Sequence, residues 1–175
     1  MLSIEYLAGL FDGEGCIHIP LMKHHKTPSY GLRVIFSLTH EEVINRIAKQ
    51  YGVAYCRLRK NHMNVKWKDA YQVQICGERA AQMLRDMFPF LIVKLEEAKV
   101  GLLLQDHITR YRSGWKRRTQ EEIDAIVEYR EGIRLQLKAL RRLNASDGMT
   151  ANSVETPCPA SNGAEGQYRA KLRSV

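Results

Sequence analysis

Residues 6–19, YLAGLFDGEGCIHI, decide how this chain folds. Gly9, Gly13 and Gly15 surround two acids, Asp12 and Glu14, directly before an alternating, strand-like run. A glycine weakens a helix interior by about 1 kcal/mol relative to alanine, so a helix that carries several must gain something in return. Ser3 is a suitable cap for a helix running to about Asp12. On a helical wheel Ile4, Tyr6, Leu7, Leu10 and Phe11 share one side, expected to face a core. Ala8, Gly9, Asp12 and Gly13 share the other. That second side is nearly flat, and small residues allow a second helix backbone to approach closely.

Working outward, CIHIPLM (16–22) reads as a strand in which Pro20 implies an edge or a bulge. GLRVIFSL (31–38) is a second strand, with Leu32, Val34, Phe36 and Leu38 on one face and Arg33, Ile35 and Ser37 on the other. Thr39 and Glu42 form a capping box for a helix that Gly52 stops. VAYCRLRK (53–60) is a third strand, placing Arg57 and Arg59 on the same side. VKWKDAYQVQI (65–75) is a fourth, with Gln72 and Gln74 opposite Tyr71, Val73 and Ile75. A helix follows Gly77 and Pro89 interrupts it; a longer one starts near Val93, and a Thr119–Glu122 capping box opens the last. The order α-β-β-α-β-β-α-α-α is that of an α+β domain with an antiparallel sheet. From Asn144 the sequence turns small, polar and aperiodic, so residues 1–143 are expected to form the domain and 144–175 a flexible polar and basic tail.

The chain of 175 residues carries a net charge of +8, which favours polyanionic partners. Its four cysteines are widely separated, with neither zinc spacing nor a disulfide framework, which points to reduced thiols in an intracellular, reducing compartment. No secretion signal is present, and the apolar run VGLLLQ is too short to span a bilayer. The polar sheet face carries His18, Arg33, Ser37, Arg57, Arg59, Gln72 and Gln74 and almost no acids. Arginine reads guanine and glutamine reads adenine through paired hydrogen bonds in the major groove. Lys23, Lys66 and Lys68 lie toward strand ends and loops, where phosphates are met. The pattern points to DNA contact, with an ordinary solvated sheet face as the alternative; with the motif at residues 7–15 added, the expected partner is double-stranded DNA.

LAGLFDGEG (7–15) resembles the defining motif of the LAGLIDADG homing endonucleases, matching at Leu7, Ala8, Gly9, Leu10, Asp12 and Gly15. Phe11 replaces another apolar residue, and Glu14 stands where aspartate is usual. The element order after the motif, and PFLIVKLEEAK (89–99), resemble the same family. The resemblance implies an α-β-β-α-β-β-α core whose saddle-shaped antiparallel sheet holds DNA. It implies that two copies of the motif helix pack at their flat faces, here Ala8, Gly9, Asp12 and Gly13. It also implies that Glu14 and the carbonyl of Gly13 bind Mg²⁺ or another divalent cation such as Mn²⁺, that Lys94 assists at the active site, and that His40 helps to arrange water there. One motif per chain implies a homodimer acting on a long, roughly palindromic site, cutting both strands near its centre to leave short 3′ overhangs. An RNA-binding intron maturase and a non-catalytic DNA-binding regulator are the alternatives that share the fold.

Overall fold

The computed structural model describes residues 1–22, 27–58, 69–112 and 118–150. Ser3 caps α1 (Ile4–Glu14), its side chain accepting the Tyr6 N–H at 3.2 Å. The helix continues two residues past Asp12, so Gly13 and Glu14 form its last turn, and Gly15 closes it by donating to the Phe11 carbonyl. The chain then enters β1 (Gly15–His18) directly. Pro20 breaks the expected single strand: β1 ends, and the chain resumes as β2 (Leu21–Met22), which pairs with β3 (Ser29–Tyr30) in a separate two-stranded ribbon. β4 (Arg33–Leu38) returns antiparallel to β1, leading into α2 (Glu41–Tyr51).

β5 (Tyr55–Leu58) and β6 (Ala70–Cys76) complete a sheet of order β1-β4-β6-β5. α3 (Glu78–Met87), a 3-10 turn (Phe88–Phe90), α4 (Leu95–Arg110) and α5 (Gln120–Thr150) follow. The mixed α and β architecture with an antiparallel sheet is thus the one the sequence predicts. The Thr119–Glu122 box forms reciprocally, with bonds of 3.0 and 3.2 Å. The Thr39–Glu42 box does not. His40 is the residue at the cap, without a side-chain bond, and Glu42 instead accepts from Arg46 one turn on. α5 remains helical to Thr150, past the change of composition at Asn144. Among the described residues no helix is long and apolar enough to cross a membrane.

The core lies between the helices and one face of the sheet. Ile17, Val34, Phe36, Val73 and Ile75 alternate inward along β1, β4 and β6 and are fully buried. Leu7, Ala8 and Phe11 of α1, Ile44 and Ile47 of α2, Met83 and Leu84 of α3, and Ala98 and Leu104 of α4 pack against them. Two close approaches fix the helices. A Cβ on Gly15 would stand 2.0 Å from Phe11 Cδ2, and one on Gly101 would stand 3.0 Å from Leu32 Cδ1 and 3.2 Å from Ile17 Cγ2.

Candidate functional site

The buried face of α1 is centred on Leu7, Ala8 and Phe11, with Ile4 and Leu10 beside it. This rotates the helix relative to the expected wheel. Ala8 is fully buried in its own core and is not available to a second chain, while Tyr6 is 48% exposed. A methyl group is readily buried, and the half-exposed phenol can keep its hydroxyl in water. The outward stripe is therefore Tyr6, Gly9 and Gly13, and a Cβ at either glycine would meet nothing within 4 Å.

Asp12 lies at the border of that stripe and binds within its own chain. Its Oδ2 accepts the N–H groups of Ile92 and Val93 at 2.7 and 3.2 Å, and its Oδ1 accepts that of Lys94 at 2.9 Å. Burial acts to raise the carboxyl, but these three bonds and the Lys94 charge outweigh it and hold Asp12 below its ordinary value. The expected contact of Asp12 with a partner helix is thus replaced by an internal clamp on residues 92–94. The clamp leaves Ile92 and Val93 85% and 62% exposed beside α1.

It also delivers Lys94. The ammonium donates to the main-chain carbonyl of Asp12 and stands 5.9 Å from the centroid of Phe11. The last carbonyls of a helix lack intrahelical partners and carry partial negative charge, which a cation there offsets. Glu14, two residues on, is exposed, and among the described residues its carboxylate makes no hydrogen bond or ion pair. The end of α1 therefore presents one free carboxylate, the last-turn carbonyls and one fixed ammonium. No three His, Cys, Asp or Glu side chains converge among the described residues. An exposed carboxylate beside a main-chain carbonyl is an oxygen donor set of the kind that Mg²⁺ takes, completed by water and other ligands.

The sheet's outward face begins at this helix end. Gly15 is paired with Phe36, so α1 ends near Ser37 of β4. Cross-strand register places His18 opposite Arg33, Ile35 opposite Gln74, and Ser37 opposite Gln72. Gln74 Nε2 donates to Gln72 Oε1 at 2.8 Å, and Gln72 Nε2 donates to Ser37 Oγ at 3.0 Å, making one polar line across two strands. Burial and the charges of Arg33, Arg141 and Lys138 push the His18 imidazole below its usual value.

Arg57 does not belong to this face. It lies opposite Tyr71, whereas Cys56 lies opposite Gln72, so the arginine shares the side of Tyr71 and Val73 and pairs with Asp69. Lys23, Arg59, Lys66 and Lys68 lie outside the described residues. His40 is exposed at the start of α2, just beyond β4. The sequence reading assigned nothing to α5, yet Arg141 of that helix donates to Cys16 Sγ at 3.2 Å and pairs with the buried Glu97 at 3.1 Å. The recurrence of basic residues at 134, 138, 141 and 142 was the available signal.

Residues 7–75 match the family model described as LAGLIDADG endonuclease. No curated protein sequence matches the chain. Among solved structures, the fold is similar to that of the homing endonuclease I-CvuI in complex with its target. The TM-score is 0.57 at 16% identity, over 78% of this chain and 80% of that one. It is similar to the LAGLIDADG homing endonuclease I-GzeII in complex with a DNA target, with a TM-score of 0.59 at 10% identity, over 77% of this chain and 44% of that one. The archaeal intron-encoded homing endonuclease I-Vdi141I, complexed with DNA, gives 0.50 at 10% identity, over 73% and 96% of the two chains. The motif on α1, the family match over residues 7–75 and the shared fold agree: over its motif helix and sheet the chain is similar to the LAGLIDADG endonucleases.

Proposed function

We propose that this protein is a divalent-metal-dependent endonuclease that cuts both strands of a long, roughly palindromic DNA site as a homodimer. The observation that carries this reading is the end of α1. An unpartnered Glu14 carboxylate stands two residues from a carbonyl that already holds the Lys94 ammonium, at the margin of an outward sheet face built from His18, Arg33, Ser37, Gln72 and Gln74.

Glu14 and the carbonyl of Gly13 would hold Mg²⁺ or Mn²⁺, with phosphate and water filling the remaining positions. When bound, such an ion stabilises the attacking and leaving oxygens of phosphodiester hydrolysis. Lys94 is held short of that position by Asp12 and offsets charge that develops on the phosphate. Gln72, Gln74 and Arg33 read base edges, and His40 serves as a water-arranging group at the same end of β4. One chain supplies one free carboxylate at this place. A second copy packed on the stripe of Tyr6, Gly9 and Gly13 brings the other, and also covers the exposed Ile92 and Val93, an apolar patch of the kind that marks an interface.

The test is Glu14→Gln, which keeps shape and removes charge. Sites are first selected by wild-type cleavage of a randomised DNA library with Mg²⁺. The variant is expected to bind those sites with near wild-type affinity and to leave them uncut. Cleavage at a rate near wild type would remove Glu14 from the metal site and the reading with it.

A further inference from the structure

α5 carries Arg134, Lys138 and Arg141 at spacings of four and three residues, which place them on one helix face. That face meets the outer edge of β1. A cleft of about 170 Å³ separates His18, Pro20 and Leu21 on one side from Arg134, Lys138 and Arg141 on the other. Cys16 and His18 alternate with the buried Ile17, so both belong to the outward face of the sheet, and the bond from Arg141 to Cys16 ties α5 to that face's corner. The cleft is thus continuous with the surface assigned to DNA, although α5 lies beyond residues 7–75, where the family match ends.

The charges in the cleft are not balanced. Arg134 is paired bidentately with Glu131, and Arg141 with Glu97. Lys138 and Arg33 make no hydrogen bond or ion pair among the described residues. His18 lines the cleft with Lys138, and Arg33 lies opposite His18 in the strand pairing, next to the cleft and not among its lining residues. Burial first, and then the charges of Arg33, Arg141 and Lys138, hold the His18 imidazole below the usual value, and an anion placed beside them would offset the charges. The concave shape and the excess of N–H donors suit a tetrahedral oxyanion. Continuity with the sheet face favours a phosphate of the nucleic-acid backbone over a free ion.

We infer that this cleft binds one backbone phosphate of duplex DNA, outside the bases read by the sheet, so that α5 lengthens the footprint of each half-site. The inference rests on the reading of the sheet face as a DNA surface. A phosphate contact positions DNA without reading sequence. Lys138 is its principal donor, because the two arginines are already held by carboxylates.

The experiment uses the full chain and fluorescence anisotropy over a salt series with Ca²⁺ present, on a cleavage-selected duplex and on unrelated duplexes. Lys138→Gln is compared with Lys99→Gln, which removes the same charge from an exposed site on α4. Lys138→Gln is expected to weaken binding about three- to tenfold on every sequence and to reduce the slope of log K against log salt by about 0.9, the value for one phosphate. Lys99→Gln is expected to change neither, and a duplex shortened at its flanks should no longer distinguish Lys138→Gln from wild type. Equal effects of the two variants would overturn the inference while leaving the DNA reading in place. Failure of the wild type to bind any duplex would overturn both. Inorganic phosphate that shifts the His18 imidazole resonances as fully as duplex does would assign the cleft to a free anion and overturn it also.

Discussion

Asp12→Asn is the substitution that most directly tests the clamp beside α1. The carboxylate holds three main-chain N–H groups with two oxygens, and asparagine has one oxygen to offer. Retaining that oxygen at the Oδ2 position keeps Ile92 and Val93 as donors and turns an NH₂ group toward the N–H of Lys94. One charge-assisted bond is then lost, about 1.5–3 kcal/mol, and two others fall to neutral strength. Water reaches part of the segment, which reduces the sum, and about 2 kcal/mol is the expected loss of stability. At an m-value near 2 kcal/mol/M this moves the urea midpoint by roughly 1 M. Amide hydrogen exchange at residues 92–94 should accelerate more than elsewhere.

The pH dependence carries a sign. Asp12 is depressed in the folded protein, so its contribution is complete above the unfolded carboxyl value and is lost as pH falls through the folded one. The variant should therefore lose less stability than wild type over that acid range. A variant with an unchanged midpoint, unchanged exchange at 92–94 and the same acid limb would refute the clamp.

Gly15→Ala should lower the melting temperature markedly, by about 3 kcal/mol of stability, because the new methyl meets a buried Phe11 ring already set edge-on to Phe36; an unaltered melt would mean the two elements can separate freely. Gly9→Leu, by contrast, enters open space and replaces a poor helix former with a good one. Circular dichroism should show full helicity while sedimentation velocity shows a monomer, and a persistent dimer that still cuts DNA would exclude this stripe as the interface. Gln74→Ala should relax base preference at one position of each half-site, costing about 1–3 kcal/mol there. Arg57→Ala should leave base preference intact and change stability by less than about 1 kcal/mol, since its ion pair with Asp69 is largely exposed; a shift in preference at Arg57 would contradict the strand register.

Although α1 runs two residues past the end expected near Asp12, the order of helices around an antiparallel sheet was legible because glycine, capping residues and alternation leave strong local marks. The side of β5 was not. Tyr55 on one parity and Cys56 and Leu58 on the other are all compatible with burial, so alternation within the strand leaves its inward face open. Only pairing with β6, Tyr55 against Val73, puts Arg57 on the side away from Gln72. The rotation of α1 escaped for a similar reason: Ala8 and Tyr6 are both tolerable in either setting, so the helical wheel alone leaves the inward side open. Asp12 was expected at the contact between two helices; its donors lie 80 to 82 residues away in the same chain and leave no local trace.

The two ends of the sheet are protected in different ways. Among the described residues β5 is four residues long, and it carries the charged Arg57. β1 is also short, and among the described residues no strand pairs with its open side: Pro20 stops it, and α5 sets Arg134, Lys138 and Arg141 along its flank. An unpaired strand edge is a template for adding strands from other molecules, and proline and inward-facing charge are the usual obstacles. The C-terminal helix therefore guards the chain against edge-to-edge polymerisation. A fragment ending after α4 would keep the motif and much of the core, yet it would expose Cys16–His18 as a bare edge and uncover the surface that Ile133 and Leu137 now fill. Such a fragment would be prone to aggregate during folding, before any nucleic acid could stabilise it.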